Sequence, residues 1–372
     1  MTTILLALLC VALLAYANGA NDNFKGVATL FGSGVSNYGR ALNWATAATL
    51  AGSIAAIWLT AQLVAAFSGK QIVSPATLAL PGYGLAVIAA SGATVLIATR
   101  IGAPISTTHA LVGALLGAAL AAPDSALNWG RAGKSIFLPL AVGPLLAMGA
   151  AIVLYPVLTR LRAALGITRQ TCVCIGEEWV PQASAGAAAA ALSRISVRVE
   201  SAQQCQERYH GAVLGVSAQR LIDGLHYLSA GAVSFARGVN DTPKIVALAV
   251  LALPLAGTDS GVFAAVGIAI AAGGLLGARR VAETMSKKIT AMNPGQGLTA
   301  NLITSGLVIA ATPLGLPLST THVSCGALFG IGAVTGQARW RTIAGIFTAW
   351  LVTLPLAAAL GACCMRAALL PS

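Results

Sequence analysis

Residues 19–25 read Gly-Ala-Asn-Asp-Asn-Phe-Lys, and residues 238–244 repeat the pattern as Gly-Val-Asn-Asp-Thr-Pro-Lys. A second motif also occurs twice, since Pro-Ile-Ser-Thr-Thr-His at 104–109 returns as Pro-Leu-Ser-Thr-Thr-His at 317–322. The copies keep the same order, at offsets of 219 and 213 residues. The chain therefore carries an internal duplication. In a polytopic membrane protein this is the usual construction of a secondary transporter, with the substrate site between the repeats.

The composition indicates that these repeats fold in a lipid bilayer. Of the 372 residues, 57% are hydrophobic and 9% are charged, and the mean hydropathy is +0.82. A soluble domain has about 25% charged residues, so this chain lacks the side chains for a water-facing surface. We expect an all-α polytopic membrane protein of about 10–12 membrane segments, including broken or re-entrant helices. Its two repeats are inverted if each crosses the membrane an odd number of times.

One polar stretch divides the chain into three parts. We assign residues 1–158 to a first membrane repeat, 159–210 to a connector and 211–372 to a second membrane repeat. The excess of arginine in the connector predicts a cytoplasmic location, and its alanine-rich middle, residues 183–191, is predicted to be helical. The first apolar run lacks the basic residues and cleavage site of a signal peptide, so we expect a retained membrane helix.

The excess of basic residues indicates how the chain is oriented in the membrane, and does not indicate binding to nucleic acid. The 22 basic and 10 acidic residues produce a net charge of +12. The basic residues lie mostly between apolar runs, where they set the orientation of a membrane protein. We therefore expect a multi-pass protein of the cell membrane, with the bacterial inner membrane as its location, the lipid bilayer as its surroundings and no nucleic acid as a partner.

The seven cysteines do not suggest a secreted disulfide framework, because their number is odd and their spacing irregular. Cys172, Cys174 and Cys205 lie in the connector and could bind a metal ion, but no convincing fourth ligand accompanies them. We therefore predict plain reduced thiols in a cytosolic loop. Neither a cofactor nor a firm metal site is expected.

The repeated Asn-Asp pairs are the first candidate site residues. Asp22 ends an apolar helix and Asp241 repeats its position, so both carboxylates are predicted within or near the hydrocarbon, where a lone charge is costly. These residues could simply cap helix ends. Because the pattern occurs twice, we favour a substrate and cation site that contains Asn21, Asp22, Asn240 and Asp241.

Three cationic residues accompany the two motifs. Lys25 and Lys244 each follow an aspartate by three residues, a spacing that places both groups on one face of a helix. They could neutralise the carboxylates in lipid or bind an anion, and both interpretations stay open. Arg237 stands beside the second motif, where the first repeat has Asn18. It could give one-sided anion affinity or pair with Asp223.

The second motif predicts the N-terminus of a helix in each repeat, because proline and hydroxyl residues precede an apolar Gly-rich run. Free N–H groups, the helix dipole and the hydroxyls would suit an oxyanion, and the oxygens could also ligate Na⁺. Capping alone is the simpler interpretation, which the recurrence disfavours. His109 and His322 could bond an anion, relay a proton or satisfy a helix end. The hydroxyl candidates are Ser106, Thr107, Thr108, Ser319, Thr320 and Thr321.

With these paired motifs the chain resembles the inorganic phosphate transporter (PiT) family. The resemblance covers both halves and leaves out the connector. It implies an all-helical transporter built from two inverted repeats, often a homodimer, that carries phosphate with Na⁺ or H⁺; some bacterial relatives carry sulfate. It also implies that both Asn-Asp pairs lie at the substrate and cation sites, and that the helix ends at 106–108 and 319–321 face the anion.

The chain departs from the family pattern directly after each Asn-Asp pair. The family motif usually continues with Val-Ala-Asn, whereas residues 23–25 and 242–244 end in lysine. We hypothesise that Lys25 and Lys244 supply the charge that a bound Na⁺ would otherwise supply. Proton coupling, or a weaker requirement for sodium, would follow.

The function predicted from the sequence is secondary active transport of inorganic phosphate by cation symport and alternating access. Asp22 and Asp241 are expected to take the coupling ion, H⁺ or Na⁺. A sulfate permease of the same family is the nearest alternative, and an anion channel is a weaker one. A membrane enzyme would need an asymmetric constellation around His109 or His322, so no catalytic residue is assigned. The chain has no nucleotide-binding motif, which argues against a primary pump.

Overall fold

The computed structural model describes residues 2–123, 125–168, 170–181, 191–208, 210–253 and 259–370. Within these ranges, six helical stretches are long and apolar enough to cross a membrane. Shorter helices and one long, more polar helix fill the space between them, and a small sheet lies in the connector. The prediction of an all-α polytopic membrane protein is confirmed. The predicted connector helix at 183–190 lies outside the described residues, and Ala191 begins a strand.

Within the described residues, the first half consists of helices, with one 3₁₀ turn and one π turn between them. Helix α1 ends at Asp22, as predicted, and a 3₁₀ turn (Asn23–Val27) leads into α2. A π turn (Gly133–Phe137) joins α8 to α9. The helices are α1 (Thr2–Asp22), α2 (Ala28–Gly32), α3 (Tyr38–Leu59), α4 (Ala61–Phe67), α5 (Pro75–Leu78), α6 (Tyr83–Ile101), α7 (Thr107–Ala121), α8 (Trp129–Ala132) and α9 (Leu138–Ala164).

The connector folds as an antiparallel sheet with one short helix. Strands β1 (Thr171–Pro181), β2 (Ala191–Ser201) and β3 (His210–Ser217) lie in the order β2-β1-β3, and α10 (Ala202–Arg208) joins β2 to β3. Strand β3 therefore occupies the first residues that were assigned to the second repeat. No sequence pattern predicts this sheet, because an alanine-rich segment that favours a helix stands between β1 and β2.

The prediction of reduced connector thiols is wrong for two of the three cysteines. Cys174 and Cys205 form a disulfide, and Cys172 is a free, buried thiol beside them. Alternate residues of a strand share a face, so β1 directs Cys172 and Cys174 to the same side. Helix α10 places Cys205 over that side, a contact between residues 31 positions apart that the spacing of the cysteines did not reveal.

The second half repeats the helices of the first. Its helices are α11 (Ala218–Ala252), α12 (Ser260–Gly277), α13 (Arg279–Glu283), α14 (Pro294–Ala311), α15 (Thr320–Thr335) and α16 (Trp340–Ala368), with a π turn (Thr284–Lys288) after α13. The motif positions make α11, α15 and α16 the counterparts of α1, α7 and α9. One difference corrects an expectation, because α11 runs unbroken through residues 238–244 and contains Pro243. Neighbouring helices make one lost backbone hydrogen bond tolerable.

The two halves exchange helices at their interface. Helix α7 packs on α16 and its counterpart α15 packs on α9, while α1 contacts α12 and α11 contacts α3. Small residues permit this close packing. A Cβ on Gly117 of α7 would overlap the backbone of Ala358, and a Cβ on the matching Gly330 of α15 would lie 2.5 Å from the carbonyl oxygen of Met148. Each half therefore completes the other.

We predict that Gly117→Ala lowers the free energy of unfolding by about 1–3 kcal/mol, because the added methyl group pushes α7 away from α16. The midpoint of thermal unfolding in detergent, followed by tryptophan fluorescence, measures the effect. Gly149→Ala in α9 is the matched control, since a Cβ there meets no atom within 4 Å. Equal effects of the two substitutions would contradict the proposed role of close packing at Gly117.

Candidate anion and cation site between the two repeats

Every buried carboxylate, ammonium or guanidinium group among the described side chains belongs to the two Asn-Asp motifs or their immediate neighbourhood. Burial of charge in hydrocarbon is costly unless each group is paired and hydrogen-bonded. The three cations and two anions give the buried centre a net charge of +1. The five residues are Asp22, Lys25, Arg237, Asp241 and Lys244, each at most 4% exposed.

The ammonium group of Lys25 is held in a shell of oxygen atoms. It forms a buried ion pair with Asp22 and donates to Asn21 Oδ1 at 2.8 Å and to the carbonyl oxygen of Ile105 at 2.8 Å. It also donates to Thr321 Oγ1, at 2.7 Å. Carboxylate, amide, carbonyl and hydroxyl oxygens are the donor set of a small hard cation. The lysine nitrogen therefore occupies the kind of place that such an ion takes.

The second repeat builds the same arrangement more loosely around Lys244. Its nitrogen lies 3.3 Å from Asp241 Oδ1 and 3.3 Å from the carbonyl oxygen of Leu318, and donates to Thr108 Oγ1 at 3.0 Å. Each partner matches its first-repeat counterpart by position in the motif. The hydroxyl group comes from the opposite repeat in both cases. Each ammonium group thus joins the two halves of the chain.

Asn18 links the two aspartates. Its side-chain nitrogen donates to Asp22 Oδ2 at 3.1 Å and approaches Asp241 Oδ2 at 3.4 Å. The same nitrogen lies 3.1 Å from Thr107 Oγ1, which itself donates to Asp22 Oδ2 at 2.8 Å. The two carboxylates, which are 219 residues apart in sequence, therefore belong to one hydrogen-bonded network.

Arg237 crosses the interface between the repeats. Its guanidinium donates to Asn18 Oδ1 at 2.8 Å and to Asn23 Oδ1 at 3.1 Å, and its Nε lies 3.5 Å from Asp241 Oδ2. The alternative partner is excluded, because Asp223 instead accepts a hydrogen bond from Gln219. Arg237 therefore belongs to the buried centre, and its role in anion affinity stays a prediction.

The predicted helix N-termini are present in both repeats. Ser106 accepts a hydrogen bond from the backbone N–H of His109 at 3.2 Å, and Ser319 accepts from that of His322 at 3.3 Å. The following threonines mostly serve the ion pairs described above. Thr320 differs from its counterpart Thr107, because its hydroxyl group has no hydrogen bond among the described residues.

Unused hydrogen-bonding capacity is concentrated on the second-repeat side of the centre. Among the described side chains, Arg237 Nε and Asn240 Oδ1 are buried without a hydrogen-bond partner, whereas Asn21, the counterpart of Asn240, uses its oxygen for Lys25. The Thr320 hydroxyl is also free. The two motif copies are therefore alike in sequence but unequal in what they can still bind.

The two motif histidines meet each other. The ring centroids of His109 and His322 are 4.5 Å apart, and the ring of His322 packs at 3.9 Å on Trp350. Within the described residues, His109 Nδ1 and both ring nitrogens of His322 are buried without a hydrogen-bond partner, although the backbone of Leu140 lies beside the His322 ring. The histidine pair therefore has ring nitrogens that make no hydrogen bond to the described residues.

Sequence reasoning named most of these residues but missed several of their partners. The carbonyl oxygens of Ile105 and Leu318 contact the two lysines, but the apolar side chains of both residues do not predict this contact. Asn18 is indicated by the sequence only as the counterpart of Arg237. The signal that could have found all three is position, since each lies inside or directly beside a repeated motif.

Comparison with known proteins identifies the family that this chain matches. The model of the phosphate transporter family matches residues 18–361. A probable low-affinity inorganic phosphate transporter of Rhizobium meliloti is 28% identical over 98% of this chain and 96% of its own length. The corresponding Mycobacterium leprae protein is 28% identical, over 96% of this chain and 77% of its own.

The fold has a solved counterpart. A structure described as the sodium-dependent phosphate transporter covers 99% of both chains with a TM-score of 0.75 at 20% identity. At that identity the likeness shows the fold and leaves the coupling ion open. The expectations of a multi-pass membrane protein and of a transporter instead of an enzyme are confirmed. Since the family model matches nearly the whole length, this chain belongs to the phosphate transporter family.

Proposed function

We propose that this protein moves inorganic phosphate across the membrane by alternating access, with a proton and not Na⁺ as the coupling ion. The observation that carries the proposal is the buried centre between the repeats, with three cations, two aspartates and a net charge of +1. The related proteins described above are named for phosphate, and the sulfate alternative has no support among them.

Phosphate would bind on the second-repeat side of the centre. Arg237 Nε and the Thr320 hydroxyl make no hydrogen bond to the described residues, although Nε lies 3.5 Å from Asp241 Oδ2, and Lys244 is held less closely than Lys25. Oxyanions are bound by such convergent donors where water is excluded. The helix N-termini at Ser106 and Ser319 add the positive ends of two dipoles. The anion would thus replace Asp241 as the partner of Arg237 and Lys244.

The same exchange of partners would couple transport to a proton. Once phosphate takes Arg237 and Lys244, Asp241 loses both of its counter-ions, and a lone carboxylate in this environment is costly. Protonation removes that charge. A doubly charged phosphate plus one proton also brings the net charge of the centre to zero, which lowers the cost of moving the loaded site through a low-dielectric region.

Sodium is not needed in this scheme because the lysines already occupy the cation positions. Lys25 donates to oxygens that would otherwise ligate an ion, and it is tethered to the same helix turn as Asp22. Lys244 does the same for Asp241. Since the five charged residues of the centre are each at most 4% exposed, a channel is disfavoured. Access requires that bonds between the repeats open, as movement of two inverted repeats against each other would allow.

The first experiment is radiolabelled uptake into proteoliposomes, with phosphate or sulfate and with Na⁺ and pH gradients imposed separately. We expect saturable phosphate uptake driven by the pH gradient and unchanged when Na⁺ replaces an inert cation. The double variant Asp22→Asn, Asp241→Asn should reduce it by about tenfold or more, because three buried cations are left unpaired. Uptake of sulfate alone, or of neither anion, would overturn the proposed substrate.

A second prediction concerns the ammonium group of Lys25. Lys25→Ala should lower the free energy of unfolding by about 3–5 kcal/mol, because it leaves the buried carboxylate of Asp22 without its ion-pair partner. Na⁺ should restore part of this stability by binding among the oxygen atoms that surround the lysine nitrogen. The midpoint of thermal unfolding in Na⁺ against choline measures the effect. Lys70→Ala removes an exposed lysine and is the control. If the variant folds and its unfolding midpoint is the same in Na⁺ and in choline, the hypothesis that Lys25 takes the place of a bound Na⁺ is wrong.

The histidine pair is proposed as the path by which the proton reaches Asp241. The double variant His109→Asn, His322→Asn should keep phosphate exchange at equal pH but lose acceleration by a pH gradient, because the unpartnered imidazoles are gone. His226→Asn is the control, since His226 is also buried, with Nδ1 unpartnered among the described residues, but lies outside the histidine pair and places its Nε2 3.0 Å from Thr29 Oγ1. If the gradient still accelerates uptake in the double variant, the histidines are structural.

A further inference from the structure

The connector contains a cluster of three sulfur atoms that the transport mechanism does not use. Cys172 and Cys174 share one face of β1, and Cys205 covers them from α10. All three are buried, at 6%, 0% and 2% exposure, and their Sγ atoms lie within 4.8 Å of one another. Cys174 and Cys205 are joined as a disulfide, and Cys172 is free.

The third thiol occupies a place that the fold leaves for it. Gly215 of β3 lies opposite Cys174 in the sheet, and a Cβ on Gly215 would be 3.1 Å from the Sγ of Cys172. Any larger residue at this position would crowd that sulfur. A disulfide between Cys174 and Cys205 requires neither Cys172 nor this space, so the disulfide alone does not account for the arrangement.

The cluster is also what holds the connector together. Among its described side chains, the three cysteines form the whole buried hydrophobic cluster. The opposite face of the sheet exposes Val173, Ile175, Val197 and Val199, each at least 40% accessible. A unit this small without an apolar core depends on a cross-link or a metal ion. The stability of the sheet therefore rests on the chemistry of these sulfurs.

We propose that the reduced connector binds a soft metal ion through the thiolates of Cys172, Cys174 and Cys205, with Cu⁺ as the ion of best fit. Thiolate ligands select soft ions such as Cu⁺ and Zn²⁺. Zn²⁺ prefers four ligands, whereas no fourth histidine, cysteine or carboxylate joins the cluster among the described residues. A buried set of three sulfurs suits an ion that accepts three ligands.

The disulfide and the metal complex are alternative states of one site. Two molecules of a small thiol reductant become one disulfide and convert the Cys174–Cys205 bond into two thiols, so electrons and protons balance. Binding of Cu⁺ then releases three protons and leaves a complex with two negative charges. On the same face, Arg198 lies across from Cys174 and Glu200 lies across from Cys172. The reverse exchange, in which a small-molecule disulfide is reduced to two thiols while Cys174 and Cys205 rejoin, would expel the ion.

The test uses the full-length protein in detergent, reduced with a phosphine that is then removed under anaerobic conditions. Cu⁺ is supplied in competition with a chromogenic chelator, and bound metal is measured by mass spectrometry and by thiolate-to-metal absorbance. We expect one ion to bind the reduced protein at the connector and none there after reoxidation. Cys172→Ser should weaken binding by about tenfold or more yet leave the disulfide of the oxidised protein intact.

Cys363→Ser is the matched control, because Cys363 is an exposed thiol in α16. This variant should bind Cu⁺ as tightly as the unsubstituted chain does. If Cys172→Ser binds Cu⁺ as well as the control does, or if the reduced chain binds none, the cluster is a structural disulfide and the proposal fails. Stoichiometric binding of Zn²⁺ but not of Cu⁺ would overturn the assignment of the ion. These readouts do not depend on phosphate transport.

Discussion

The cost of placing five charged side chains in a low-dielectric interior governs the rest of this structure. An unpaired charge there would be expelled or neutralised, so every member of the centre is held by ion pairs and hydrogen bonds. The partners come from both repeats. Lys25 depends on Thr321 and Lys244 depends on Thr108, while Arg237 reaches Asn18. Each half therefore pairs its lysine with its own aspartate but takes further hydrogen bonds from the other half, which favours folding of the duplicated halves as one unit.

The backbone packing follows from the same requirement. The carbonyl oxygens of Ile105 and Leu318 reach the lysines only because an extended segment precedes α7 and α15 in each repeat. Those two helices are in turn fixed by α16 and α9 of the opposite halves. Glycines such as Gly117 set the distance between the helices. A site of this kind is positioned by helix contacts at some distance from it, since a shift of α7 would move both a carbonyl ligand and a hydroxyl ligand.

The membrane fold and nearly all charged members of the site were predictable from the sequence, because both follow directly from which residues are apolar and which are charged. Repetition made Asp22 and Asp241 stand out, and the cost of intramembrane charge supplied the reason. What could not be predicted depends on backbone oxygens and on contacts between distant segments. Ile105 acts through its carbonyl group, and the continuity of α11 through Pro243 depends on neighbouring helices. The Cys174–Cys205 bond requires a sheet that no sequence pattern predicts.

The centre departs from symmetry at one pair of positions, and this difference has a consequence for the anion. Had both repeats carried asparagine at positions 18 and 237, two lysines would balance two aspartates and the centre would be neutral. Arginine in both would give a charge of +2 and place two guanidinium groups side by side. One arginine and one asparagine give +1, the charge that a singly charged anion, or a doubly charged one with a proton, brings to zero. Phosphate meets this condition directly as the monoanion, and as the dianion once one proton binds to the anion or to Asp241, whereas sulfate does so only if the protein itself takes up the proton.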